Sequence, residues 1–152
     1  MVNKKAILNL TLPLTIIIFI LFTKWWIVDI VDGSDAVMYG FPLIYKSPAF
    51  HTSLAEQYFI MEFLIDFLFY FTVLSAILFL INRFISEIKI KRSLLIFIYI
   101  ITGALLAIEI LFAVAFEPSF SIKRDFDIEV RQTGVKFYFY EKERDIFKNL
   151  HQ

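Results

Sequence analysis

The sequence predicts an all-α membrane protein: three transmembrane helices followed by a short extracytoplasmic C-terminal tail made of a β-hairpin and a helix. Three observations carry this reading. Of the 152 residues, 59% are hydrophobic and 19 are Phe, against about 45–50% apolar residues in an average soluble domain. Three apolar runs each exceed the roughly 20 residues that a hydrocarbon core about 30 Å thick requires. After the third run the composition turns abruptly polar, with seven basic and seven acidic side chains beyond residue 116.

The first span covers residues 6–31, with the stretch LTIIIFILF at its densest part. It follows Lys4 and Lys5 as a secretory signal does. Its length, its Lys24-Trp25-Trp26 end and the lack of a small-residue cleavage site point instead to an uncleaved signal anchor. The second span covers 58–85 and the third 94–116. Residues 1–116 then form the membrane domain and 117–152 the tail. The outer loop, 32–57, contains Gly40-Phe41-Pro42, which reads as a turn because proline biases the preceding residue away from helix.

In the tail, Phe126, Ile128 and Val130 alternate with acids, and Val135, Phe137 and Phe139 alternate after Gly134. That is the period of a strand, and Gly134 is expected to take a positive-φ turn position in a hairpin. A two-stranded hairpin alone is marginal in water. The apolar face of Phe126, Ile128, Phe137 and Phe139 is therefore expected to dock on the outer loop, a second copy or a partner. Residues 141–150 are expected to add a short helix.

Basic residues set the orientation. Lys4 and Lys5 at the start, and Arg83, Lys89, Lys91 and Arg92 between the last two spans, place those segments in the cytoplasm. The acidic loop, with Asp29, Asp32, Asp35 and Glu56 against Lys46, and the C-terminal tail fall outside. A multi-pass protein of a bacterial inner membrane is the expected object.

Ionisable residues at membrane depth are expensive and are functional candidates by default. Lys24, Asp66 and Glu109 each come out roughly 24–25 Å above the cytoplasmic end, at about 1.5 Å per helical residue. Glu62 lies one turn above Asp66 on the same face. This polar layer either ties helices together by hydrogen bonds or handles ions; Lys24 either joins it or snorkels to the interface marked by Trp25 and Trp26. In the third span, Gly103 and Ala107 form a small-xxx-small pair suited to close helix packing. Glu109 lies about 200° around the helix from Ala107, so two sides of this helix call for protein neighbours.

Other chemistry is sparse. The 15 basic and 15 acidic residues cancel, which removes the electrostatic case for nucleic acid. With no cysteine, there is no thiolate nucleophile and no cysteine-ligated metal; no metal site and no cofactor are expected. The histidines are His51 and His151, with no metalloprotease, phosphate-loop or serine-hydrolase motif around them. His51 with Glu56 is the one acid–base pair to consider.

Gly40-Phe41-Pro42-Leu43 between two spans, followed by Asp66-Phe67-Leu68-Phe69-Tyr70, resembles a pattern in small uncharacterised bacterial integral membrane proteins. The resemblance covers residues 39–70 and implies a membrane protein, with no activity attached. The expected role is a non-enzymatic accessory or structural subunit of a larger membrane complex, with the bilayer, other subunits or further copies as partners. The alternatives are a component of ion- or proton-coupled transport using Asp66 and Glu109, and an enzyme acting at the outer surface through His51 and Glu56.

Overall fold

The computed structural model describes residues 4–30, 36–49, 55–85, 90–115 and 118–137. It corrects the all-α expectation: a six-stranded mixed sheet sits at one end of three helices. The first helix, α1 (Lys4–Leu21), stops where the apolar run continues, and the rest of that run becomes the strand β1 (Phe22–Ile30). The segment FTKWWIVDI is built of aromatic and β-branched residues, which favour strands. It lies between two other strands, and Trp25, Ile27 and Val28 are all buried. A strand covered on both faces shows no polar alternation, so by composition it is indistinguishable from the upper half of a membrane span.

Three more short strands occupy the expected outer loop: β2 (Ala36–Tyr39), β3 (Lys46–Pro48) and β4 (Glu56–Phe59). Helix α2 (Ile60–Leu80) follows β4 without a break and ends in a π-helical turn, Ile81–Ile85. Helix α3 (Arg92–Ala115) leads within four residues to β5 (Ser119–Ser121), and β6 (Ile128–Phe137) closes the described chain. The strand order is β5-β4-β3-β2-β1-β6; only β4 and β5 are parallel. Each helix meets the sheet at the same end.

The expected hairpin is the second correction. Residues 128–137 form one strand, antiparallel to β1 from Ile30 opposite Ile128 to Phe22 opposite Phe137. Arg131 is the extra residue of a bulge, because Ile27 pairs with Gln132 and Val28 with Val130. Gly134 keeps strand geometry instead of turning. Its glycine serves a different need: a Cβ there would lie 2.3 Å from the indole of Trp25, its opposite residue on β1. Pairing with nine residues of β1 gave this segment a better partner than its own second half. Phe139 and the expected helix over 141–150 lie outside the described residues.

The register aligns Phe120, Tyr58, Lys46, Tyr39, Trp25 and Gly134 directly opposite one another across all six strands. Four of them, Phe120, Tyr58, Lys46 and Tyr39, line a cavity against the helices. Val28, Ala36, Met38 and Ile44 form a second apolar cluster, covered in part by Trp26, Phe126 and Ile128.

At the end remote from the sheet, Ile7 and Leu10 of α1 pack with Leu78 of α2, joined by Ile98 of α3. Pro13 interrupts α1 and has no N–H to give the Asn9 carbonyl one turn back. The Tyr99 hydroxyl of α3 donates to that carbonyl at 3.1 Å, and Thr102 Oγ1 lies 3.4 Å from the Pro13 carbonyl. Tyr99 thus answers the defect in α1, while the closer acceptor of the Thr102 hydroxyl is the Ile98 carbonyl of its own helix, at 2.8 Å.

Gly134→Ala is expected to destabilise the fold by about 1–3 kcal/mol, the usual cost of overpacking, although alanine is the better strand residue elsewhere. The cost should shrink in a Trp25→Leu background. Denaturant unfolding of the four variants in detergent measures it, and a stabilised Gly134→Ala single variant would contradict the contact.

Candidate functional site

Asp66 is the organising polar residue. It is fully buried on α2, and its two carboxylate oxygens accept from two backbone N–H groups of the loop between β2 and β3. Phe41 N–H reaches Oδ2 and Leu43 N–H reaches Oδ1, both at 2.8 Å. The loop needs such a fastening, because between strands its donors have no ladder partner. Its shape also depends on Gly40, at φ +146°, where a Cβ would lie 2.1 Å from the Leu43 carbonyl oxygen. Gly40 N–H donates to the Lys24 carbonyl on β1, and Trp26 Nε1–H donates to the Gly40 carbonyl at 2.7 Å. The Phe41 ring then packs edge-on against Phe69 and Tyr70, one turn beyond Asp66.

The expected polar layer is thereby divided. Lys24 lies on a strand, with its ammonium 3.8 Å from the Trp26 ring centroid and 5.8 Å from that of Phe41. It converges with Asp66 on the same loop but binds aromatic faces. Glu62 uses Oε1 to accept Arg124 N–H at 3.3 Å, while Met61 N–H donates to the Ile122 carbonyl. The two carboxylates of α2 therefore fasten two separate connections to one helix. Glu109 stands apart from both, on the wall of a cavity.

Gly103 and Ala107 of α3 are exposed, and an added Cβ at Gly103 would meet nothing within 4 Å. Phe126 packs edge-on against Phe59 at 5.8 Å, and Ile128 lies against the Val28–Met38 cluster. Both residues are thus partly covered by this chain's own sheet. Phe137 pairs through its backbone with Phe22, and Phe139 lies outside the described residues.

The cavity holds about 410 Å³ and lies where the three helices meet the sheet. Phe19 of α1 is its aromatic hub, stacked on Tyr45 at 5.2 Å and edge-on to Phe63, Phe67 and Tyr70 of α2. Its polar groups come from the sheet and from Glu109. Lys46 and Glu56 form an ion pair at 2.7 Å, and the Tyr58 hydroxyl donates to the other Glu56 oxygen at 2.7 Å. Burial pushes the Tyr58 hydroxyl well above the ordinary tyrosine range, and its bond to Glu56 adds to this. Burial does the same to Tyr45, against an opposing effect from the Thr23 hydroxyl.

No family model, curated protein or solved structure matches this chain. Its chemistry must be read from its own residues. Among the described residues, no group of three or more acidic or histidine side chains is placed to hold a metal. Glu56, half of the acid–base pair considered above, is engaged by Lys46 and Tyr58; His51 and His151 lie outside the described residues. Sequence reasoning found Glu109 but missed Tyr39, Tyr45, Lys46 and Tyr58. Strands of three or four residues are too short to show a period, and only the opposite charges of Lys46 and Glu56 hinted at their pairing.

Asp66→Asn is expected to cost about 1–3 kcal/mol, because an amide offers one acceptor oxygen where two N–H groups need one each. Chymotrypsin should then cut faster after Leu43, while Glu109→Gln leaves the cleavage rate unchanged. Tyr45 and Tyr58 give a second expectation. Their raised values favour the protonated, folded form, so the stability they contribute is present below the unfolded tyrosine value of about 10 and lost as pH rises above it. In an alkaline titration their tyrosinate absorbance should appear together with the loss of far-ultraviolet circular dichroism. Ionisation before unfolding would show that the two hydroxyls are open to solvent.

Proposed function

We propose that the chain is an integral membrane protein serving as an accessory or structural subunit of a larger membrane complex, without catalysis of its own. The observation that carries this reading is the uncovered apolar surface of two helices. Residues Ile60–Ile85 and Arg92–Ala115 are each long and apolar enough to cross a membrane. Yet only 11% of the most apolar stretch of the first, and 6% of the second, is buried within the chain. A helix of that composition in a water-soluble fold would be a core helix with most of its side chains covered. Here Asp66 and Leu78 are the buried residues of α2, and Thr102 that of α3. Lipid and partner helices are the environments that suit such surfaces.

Charge supports an orientation. Arg83, Lys91 and Arg92 lie at the helix ends remote from the sheet, where α1 also begins, at Lys4. By the excess of Lys and Arg on cytoplasmic segments, that end faces the cytoplasm and the sheet lies outside, in keeping with a bacterial inner membrane. The exposed Gly103–Ala107 notch on α3 provides a place for a partner helix, since no described atom lies within 4 Å of a Cβ at Gly103.

Alkaline carbonate washing is expected to leave the chain in the membrane pellet; release into the supernatant would overturn the membrane reading. A partner, or a second copy, should co-purify in mild detergent and be lost with Gly103→Leu. Because a Cβ at exposed Gly103 has no described atom within 4 Å, the variant's own thermal midpoint should hold. Retained association in that variant would remove α3 as the interface.

A further inference from the structure

The cavity under the sheet combines features that select one class of ligand. Its volume, about 410 Å³, falls within the range of about 300–1,000 Å³ typical of small-molecule sites. Its helix side is hydrocarbon, from Ile16 and Ile20 of α1 to Leu106 and Ile110 of α3, and its sheet side carries the polar groups. Phe63, Leu106 and Ile110 line it and yet keep 38%, 38% and 61% of their surface exposed. The cavity therefore opens onto the apolar flank of the helices, between α2 and α3. Glu109 lies six residues before the end of α3, roughly 9 Å below the level of the sheet.

Charge decides the head of the ligand. Lys46 and Glu56 neutralise each other, and the second Glu56 oxygen is taken by Tyr58. Glu109 remains, and among the described residues no cation is paired with it. The formal charges of the lining residues Lys46, Glu56 and Glu109 therefore sum to one negative, in a setting where an uncompensated carboxylate is costly. The aromatic rings of Tyr45, Tyr58 and Phe120 border the same space, and ring faces attract ammonium groups.

We propose that this cavity binds one molecule of a membrane amphiphile headed by a protonated primary amine, with the ammonium on Glu109 and the hydrocarbon chain along the α1 wall. A primary ammonium brings three N–H donors, enough for the carboxylate and the neighbouring phenol oxygens. An anionic head would meet Glu109 with Lys46 already engaged. The inference rests on the membrane reading for the direction of entry, from the lipid side between two helices.

The test uses the full chain purified in a neutral maltoside, titrated with dodecylamine, dodecanol, dodecanoate and ethanolamine, with adducts counted by native mass spectrometry. Dodecylamine should saturate at one molecule per chain, at least about tenfold tighter than dodecanol, as a charge-assisted hydrogen bond provides. Dodecanoate should not bind. Ethanolamine, lacking the chain, should bind at least about a hundredfold more weakly. Glu109→Gln should erase the preference for the amine, and Ala113→Phe should block binding with the carboxylate in place. Equal binding of dodecylamine and dodecanol, binding of dodecanoate, or unchanged affinity in Glu109→Gln would overturn the proposal. Equal binding of ethanolamine would make it a free-amine site and overturn the lipid assignment. If either variant fails to elute as the wild type does, the ligand selectivity of the wild type decides alone. Release of the chain by carbonate would strike the membrane reading only, since the titration reads the cavity independently.

Discussion

One carboxylate holds the two halves of this molecule together. Asp66 projects from the second helix into the loop between β2 and β3, and its two oxygens accept from two backbone N–H groups of that loop. Burying a carboxylate is costly unless its charge is answered by donors, and here backbone N–H groups answer it. The fastening fixes the position of Phe41, whose ring reaches Phe69 and Tyr70, and of Gly40, whose carbonyl holds Trp26. Through Trp26 it also bears on Lys24, which rests on the same indole. A residue that the sequence offers either as a tie between helices or as half of an ion-handling pair is, in the fold, hydrogen-bonded from a helix to a loop of the sheet.

The cavity follows from how the sheet is mounted. Three helix ends approach it from below, and α1 stands behind the gap between α2 and α3. Phe19 fills the top of α1 and packs against both Tyr45 from the sheet and Phe63 from α2. The space beyond it is left to Glu109 and the cross-strand row of Tyr39, Lys46 and Tyr58. Pro13 belongs to the same arrangement. Its missing N–H leaves the Asn9 carbonyl free for Tyr99, which draws α3 onto α1.

The apolar runs were legible wherever they were helices. The second and third spans, expected at 58–85 and 94–116, correspond to helices at Ile60–Ile85 and Arg92–Ala115. The first run misled because Phe22–Ile30 is buried on both faces, so its hydrophobicity reports burial and not helical period. Strands β2 to β5 have three or four residues each, too few for alternation to register. The tail did alternate, and its strand character was readable; its partner was not, because β1 lies more than a hundred residues earlier. Gly134 shows the same limit: the sequence marks a glycine, and only the register places Trp25 over it. Gly40-Phe41-Pro42-Leu43 and Asp66 were noticed as two neighbouring marks, with nothing in the linear chain to indicate that they touch.

The sheet order carries a consequence for biogenesis. β1 lies second from one edge, flanked by β2, which follows it closely, and by β6, which ends at Phe137. At synthesis rates of about 5–20 residues per second, β6 emerges on the order of 5–20 s after β1. Throughout that interval the β6-facing backbone edge of β1 has no strand to pair with, while both intervening helices are being made. The earliest strand of the sheet is thus also the last to have both of its edges paired, and α2 and α3 are both synthesised before that happens.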